Sequence, residues 1–315
     1  MNTGKILITG ATGSTGGYAI EQLLEKGHEV RALVHRIDDR SRRLEDKSVE
    51  VVAGDYLDLD AMRTAVKGVR RAYFVYPICP GITQATAYFA QAAREAGVEA
   101  IVNMSQISAR EDARSNAARD HRVAERVFDW SGIAVTHLRP TFFAEWLSNF
   151  APMIKAGTLA TPLGAGPNKH APVAAEDQAR VIVGILENPA PHRGKVYALY
   201  GPKEYTQAEI AQVLSRVLGR DVRYKQVTIE ELLQRMASSQ SPAPGQVNDR
   251  TAYGDVERLQ RGALKESFVV QHVREVALDH QAGIFADTND VIETIGGRPP
   301  MSLEAFIEKH RKAFE

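Results

Sequence analysis

Short, nearly all-apolar runs alternate with longer amphipathic ones through the first half of the chain. Residues 5–9 (KILIT) form a run of β-formers, followed by the glycine-rich GATGSTGG and then YAIEQLLEKG. In that last stretch Ile20, Leu23 and Leu24 fall on one helical face before Gly27 stops the helix. VRALV, beginning at Val30, is a second apolar strand, so the opening segment predicts a complete βαβ unit with parallel strands. Further strands are predicted at 49–53, 72–75, 100–104 and 135–139, separated by the helical stretches LDAMRTAVKG, ITQATAYFAQAAREAG and HRVAERVFDWSG. Strands that are apolar at nearly every position are those covered by helices on both faces. The pattern therefore predicts an α/β fold built on a doubly wound parallel sheet.

After Pro140 the texture changes to aromatics and prolines, TFFAEWLSNFAPMIKAGTLATPLGAGPNKHAPV, which suggests a lid over the sheet. KVYALYGP predicts one more sheet strand, and helices are predicted to begin at Thr206 and Thr228. Residues 238–254, rich in Ser, Pro, Gly and Gln, predict a mobile connection. Beyond it an amphipathic helix carries Val269, Val273 and Val276. A final helix, started by Ser302, sets Leu303, Phe306, Ile307, His310 and Phe314 on one side. No internal repeat is visible.

Composition narrows the function classes. The 315 residues suffice for one large core with a smaller subdomain, and a formal net charge of +0 gives no electrostatic reason to expect nucleic acid or an anionic membrane as partner. The single cysteine, Cys79, excludes an intramolecular disulfide framework and multi-cysteine metal sites; it reads as a buried small hydrophobe in a protein of a reducing compartment. The first residues lack the charged and long apolar regions of a secretion signal, and no apolar run approaches the roughly 20 residues needed to cross a bilayer. These features predict a soluble, cytoplasmic protein. The nine histidines are scattered, with no pair at metal-ligand spacing, so no metal is expected.

Gly10, Gly13 and Gly16 form G-x-x-G-x-x-G between the first strand and the first helix, the context in which such glycines bind a dinucleotide. They permit the tight turn, the approach of a pyrophosphate to the backbone and close helix–sheet packing, while the helix N-terminus supplies free N–H groups. The alternative is a purely structural glycine turn. An NAD-preferring fold places a carboxylate at the end of the second strand to bind the ribose 2′-hydroxyl. Here that strand ends Val34-His35-Arg36, and Arg36, with Arg40, Arg42 and Arg43 close by, suits a 2′-phosphate. NADP, as NADPH rather than NADH, is the expected cofactor. Two alternatives stay open: the arginines form a solvated loop face, or Asp38 or Asp39 reaches the ribose.

At this point the residues resemble the NmrA-like group of atypical short-chain dehydrogenase/reductases. The match runs in order through TGATGSTG, ALVHR, GDYLD (54–58), NMSQ (103–106), HRVAE (121–125), THLRPTFF (136–143) and GRPPMSLEAFIEKH (297–310). The resemblance implies an NADP-binding Rossmann domain over residues 1–140, with 170–200 returning to it. It also implies a smaller, mainly helical C-terminal substrate region formed by 141–169 and 201–315. It puts the pyrophosphate at Gly10 to Gly16, with Thr12, Ser14 and Thr15 supplying backbone or hydroxyl donors. Arg36 would take the adenosine phosphate and Asp55 would lie near the adenine. Val75, Tyr76 and Pro77 would pass the ribose, Ser105 would stand beside the nicotinamide, and Pro140, Thr141 and Phe142 would pass its carboxamide. For Asp55, Val75, Tyr76 and Pro77 the alternative is ordinary strand-end packing.

Ordinary members of the wider superfamily use Tyr-x-x-x-Lys to protonate the substrate oxygen as hydride arrives. The corresponding span here reads Ala117-Ala118-Arg119-Asp120-His121, with histidine at the lysine position and no tyrosine. His121, Ser105 and Tyr76 are then the residues nearest the chemistry. His121 would hold the nicotinamide ribose or relay a proton near neutral pH, the alternative being a helix-surface histidine. Phe142, Phe143, Trp146, Phe150 and Tyr76 supply an aromatic set, one or two of which are expected to face the pocket and the rest to serve as core. Where the family often reads Asn after the Arg-Pro, this chain reads Glu145-Trp146.

The resulting expectation is an NADPH-dependent oxidoreductase acting on a small-molecule electron acceptor, such as a quinone, an azo compound or another conjugated molecule. The alternative is a non-catalytic NADP(H)-binding redox sensor that regulates a protein partner. An isomerase or epimerase is disfavoured by the missing pair. Whether the chain forms a homo-oligomer is left open.

Overall fold

The computed structural model describes residues 4–164, 166, 168–238 and 263–315. Its frame is a seven-stranded sheet in the order β3-β2-β1-β4-β5-β6-β8, every neighbouring pair parallel. The strands are β1 (Lys5–Ile8), β2 (Val30–Val34), β3 (Glu50–Ala53), β4 (Val69–Phe74), β5 (Ala100–Met104), β6 (Ala134–Pro140) and β8 (Val196–Leu199). The connecting helices are α1 (Ser14–Glu25), α2 (Asp39–Glu45), α3 (Leu59–Val66), α4 (Ile82–Glu95), α5 (Asn116–Trp130) and α7 (Ala175–Glu187). The order reverses at β1 and β4, so a crevice opens at their carboxyl ends, where ligands bind in open α/β sheets.

The strand residues alternate between two cores. Ile6, Ile8 and Tyr73 point to the face covered by α1 and α7, while Leu7, Ala72 and Phe74 point to the face covered by α3, α4 and α5. All six are completely buried, and an aliphatic side chain so removed from water contributes about 1.5–3 kcal/mol. Cys79 lies buried in the second of these cores. β4 starts at Val69, earlier than the apolar pattern indicates, because the polar Arg70-Arg71 pair lies inside it. The Arg71 guanidinium donates to the Leu186 and Glu187 carbonyls at 2.6 and 3.0 Å, satisfying the C-terminal end of α7.

A third core, built on Phe142, Leu147, Leu159, Phe285, Phe306 and Phe314, lies in the C-terminal region. It gathers α6 (Ala151–Lys155), α8 (Gln207–Leu218), α9 (Ile229–Ser238), α10 (Ala263–Gln281) and α12 (Leu303–Lys309) around a small parallel pair, β7 (Thr158–Thr161) with β9 (Arg223–Gln226). That pair was not expected from sequence, since RYKQ is polar and largely exposed. The expected helix starts have a physical basis. Thr206 caps α8 in a reciprocal capping box with Glu209, and the Ser302 hydroxyl accepts the Ala305 N–H. In α10, Val276 is buried while Val269 and Val273 are half-buried. α11 (Val291–Gly296) leaves the C-terminal core and packs on α7 and β8, putting Ile292 in the first core. Of the expected mobile connection, Ser238 is the last residue of α9 and the remainder lies outside the described residues.

Candidate active site

The glycine turn sits at the sheet's switch point. Gly10 has φ +56°, and a Cβ there would lie 2.4 Å from Val75 Cγ1. A Cβ on Gly16 would lie 2.4 Å from the Gly10 carbonyl oxygen, so the first turn of α1 rests directly on the loop backbone. The Gly13 N–H closes the turn on the Gly10 carbonyl at 2.8 Å. No side chain caps α1, and its first-turn N–H groups remain available to an anion. Thr12 and Ser14 are half-buried beside this end. Thr15 differs from the expectation for its hydroxyl, which is hydrogen-bonded to the buried Tyr73 hydroxyl at 2.8 Å. Only its main chain serves the loop.

Beside the turn lies a cleft of about 400 Å³. Residues 10–15 form one wall; Val34, His35, Tyr56, Val75 and Pro77 extend it along the strand ends; Phe143, Glu145, Trp146 and Asn149 close it from the lid. Tyr56 was not singled out from sequence, although it stands inside the GDYLD motif. Its hydroxyl accepts the Gly10 N–H at 3.1 Å and donates to the Val75 carbonyl at 3.2 Å, tying three strand ends together. Burial pushes its pKa up to about 12, so it remains protonated.

Arg36 is exposed just beyond β2. Of the two acids beside it, Asp38 is engaged and Asp39 stays exposed. Asp38 caps α2, accepting the Arg40 and Ser41 N–H groups at 2.9 and 3.1 Å and the Arg40 guanidinium at 2.9 Å. Asp39 pairs with Arg42 at 3.0 Å. Asp55 accepts the Leu57 N–H at 2.9 Å in the turn that presents Tyr56 to the cleft.

The three residues expected nearest the chemistry are not gathered in this cleft. The Tyr76 hydroxyl donates to the Pro80 carbonyl at 3.0 Å, and the ring sits in the second core, edge-on to Tyr56 at 5.7 Å. Burial raises its pKa, so the hydroxyl is occupied and stays protonated. Ser105, buried just past β5, donates its N–H to the Leu138 carbonyl at 2.7 Å, and its hydroxyl is buried without a hydrogen-bond partner among the described residues. His121 is 4% exposed, which removes the helix-surface reading. Burial, reinforced by His272 on α10 and opposed by Glu125, lowers its pKa to about 4. A neutral imidazole at pH 7 corrects the expectation of a relay titrating near neutrality. Burial would raise the Glu125 carboxyl, but Arg139, bonded at 2.8 and 2.5 Å, outweighs it and the pKa is lowered.

β6 ends in Pro140, whose carbonyl accepts the Ile107 N–H at 3.1 Å. The Thr141 hydroxyl donates to the Ala171 carbonyl at 2.8 Å and fixes the entry to the lid. Phe142 turns into the third core, edge-on to His280 at 5.7 Å, and Phe150 packs against that core. Of the aromatic set, Phe143 and Trp146 reach the cleft, with rings 5.7 Å apart and 13° from parallel. Glu145, Asn149 and a buried His170–His280 pair with Nδ1 atoms 2.8 Å apart were not singled out as site features from sequence. Among the described residues there is no cluster of three or more potential metal ligands, and no helix is long and apolar enough to cross a membrane.

Sheet order, glycine turn and switch-point cleft together define a Rossmann-type α/β protein. The model of the NmrA-like family matches residues 2–261, and the chain belongs to that family. It is 30% identical to the NAD(P)H azoreductase of Xenophilus azovorans over 310 residues, 98% of this chain and 99% of that one. It is 32% identical to the (4-alkanoyl-5-oxo-2,5-dihydrofuran-3-yl)methyl phosphate reductase of Streptomyces griseus, over 98% and 99% of the two chains. Among solved structures, the NADPH-dependent quinone oxidoreductase of Escherichia coli complexed with NADPH superposes with a TM-score of 0.78 at 23% identity, covering 97% of this chain and 99% of that one.

Proposed function

We propose that this protein is a cytoplasmic NADPH-dependent reductase that transfers hydride to a small conjugated acceptor, of the quinone or azo class, without a Tyr-x-x-x-Lys pair. The observation that carries the reading is the glycine cradle, where added Cβ atoms at Gly10 and Gly16 would collide with the opposing loop, beside an uncapped helix N-terminus. Its residues fit a dinucleotide: main-chain N–H groups for the pyrophosphate, and Arg36 for the 2′-phosphate, with Asp38 engaged in α2. The azoreductase and dihydrofuran reductase relatives support the reaction class.

The reduced nicotinamide supplies the hydride when bound. The chain's own part is to bind, orient and exclude water. Tyr56 holds the ends of the strands in register, and Phe143 and Trp146 offer a flat apolar wall to a planar acceptor. With alanine at 117 and a neutral, buried His121, the proton that completes reduction comes from solvent. NADPH oxidation by purified protein, followed by absorbance against quinones, azo dyes and activated carbonyls, tests this reading. Acceptor-dependent turnover is expected; tight NADPH binding with no turnover on any acceptor would favour the binding-only sensor.

A further inference from the structure

We propose that Glu145 is a proton-linked ligand of the dinucleotide, taking up a proton from solvent as the pyrophosphate enters the cleft and donating from Oε2 to a phosphate oxygen. The inference rests on the reading of this cleft as a dinucleotide site.

Glu145 follows β6 in the lid and lines the cleft together with the Gly10 to Thr15 turn. Its Oε1 accepts the Ala175 N–H at 2.9 Å, the first residue of α7. Its Oε2 is buried with no hydrogen-bond partner among the described residues. An ionised carboxylate oxygen left without a donor away from water is costly, whereas the neutral acid presents an O–H that requires an acceptor. Phosphate oxygens are such acceptors, and the cleft has the built geometry to bring them in.

The surrounding charges oppose one another. On α7, Asp177 repels the carboxylate, although Asp177 itself pairs with Arg180 at 2.5 Å. On α12, Lys309 attracts it but is bound to Glu176 of α7. Tyr18 on α1 feels the Glu145 charge, and His35 beyond β2 lines the same cleft. Burial, foremost, holds the Glu145 carboxyl above its ordinary range even before any ligand arrives. A pyrophosphate adds like charge to the same cleft and disfavours ionisation further. The alternative role, a simple cap on α7, needs only Oε1 and predicts no proton uptake.

The test is calorimetric titration of the full chain with NADPH from pH 7.5 to 8.5, above the titration of the 2′-phosphate, in buffers of different ionisation enthalpy. Wild type should take up a substantial fraction of a proton per NADPH, with Kd rising by up to about tenfold per pH unit where Glu145 is ionised in the free protein. Glu145→Gln keeps the acceptor for Ala175 and a donor for phosphate; it should bind with no such uptake and a nearly flat pH profile. Tight binding by wild type without uptake, or equal uptake by both proteins, overturns the role of Glu145 alone. Failure of both folded proteins to bind NADPH removes the dinucleotide reading and this inference with it.

Discussion

Gly16→Ala probes the cradle where it is least able to yield. The new Cβ would stand 2.4 Å from the Gly10 carbonyl oxygen, 2.9 Å from its carbon and 3.1 Å from Ala11 Cα, whereas ordinary contact begins at 3.4 Å. All three atoms belong to the main chain, so relief requires the N-terminus of α1 to withdraw by about 1 Å, the contact deficit. Overpacking of this kind costs about 1–3 kcal/mol. At about 2 cal/mol/K of unfolding entropy per residue, each kcal/mol lowers Tm by roughly 1.5 °C in a chain this long, giving a fall of roughly 2–5 °C. Function should suffer more than folding if, as proposed, the displaced N–H groups hold the phosphates; a misplacement of about 1 Å can cost on the order of 100-fold. Circular dichroism melting and NADPH titration read the two effects separately. A Gly16→Ala protein that binds NADPH as tightly as wild type would refute the placement of the pyrophosphate. Gly10→Ala differs, since the atom struck is Val75 Cγ1; adding Val75→Ala should leave only the positive-φ penalty of about 1–2 kcal/mol.

Three further predictions concern the lid and the interior. Trp146→Ala removes the ring stacked on Phe143 and should weaken cofactor or acceptor binding roughly three- to tenfold by titration; an unchanged Kd and KM would place the indole outside the site. His121, His170 and His272 are held near pKa 4 chiefly by burial, below the unfolded value of 6.5, so their neutral forms stabilise the fold fully above pH 6.5 and that stability is lost as pH falls toward 4. The loss is roughly 2 kcal/mol apiece by pH 5, and a Tm that stays flat from pH 7 to 5 would contradict it. Arg139→Leu leaves the buried Glu125 carboxylate with Arg122 at 3.1 Å as its remaining cation and should cost about 2–3 kcal/mol in denaturant unfolding, while adding Glu125→Leu should recover much of it; equal losses in both proteins would argue against a buried ion pair.

The frame of the molecule was legible because burial on both sheet faces writes itself as apolar runs, and helix starts such as Thr206 and Ser302 carry capping chemistry in their own side chains. Gly10 and Gly16 were legible for the same reason: the constraint is local, between a strand and the helix it feeds. What sequence could not show were commitments made across long separations. The Tyr76 hydroxyl is taken by Pro80, the Thr15 hydroxyl by Tyr73, and His121 lies beside His272 on a helix far along the chain. A motif places such residues near a site, while their unused valences are decided by packing. Tyr56 and Glu145 show the converse, since both lay inside quoted segments without any pattern of their own to reveal a hydroxyl bridging Gly10 to Val75 or a carboxyl oxygen buried beside the cleft without a donor. The β7–β9 pair escaped because β9 is a short, largely exposed strand that need not be apolar, and β7 is only four residues long.

The central claim is an NADPH-dependent hydride transfer in which Arg36 reads the 2′-phosphate. It is tested most directly by kcat/KM for NADPH and for NADH, with one quinone acceptor held saturating, in wild type and Arg36→Ala. Wild type should show a clear preference for NADPH, and the variant a loss of roughly 10- to 100-fold on NADPH alone, the value of charge-assisted hydrogen bonds to phosphate. Equal use of NADH and NADPH by wild type, or an unchanged preference in Arg36→Ala, would contradict it.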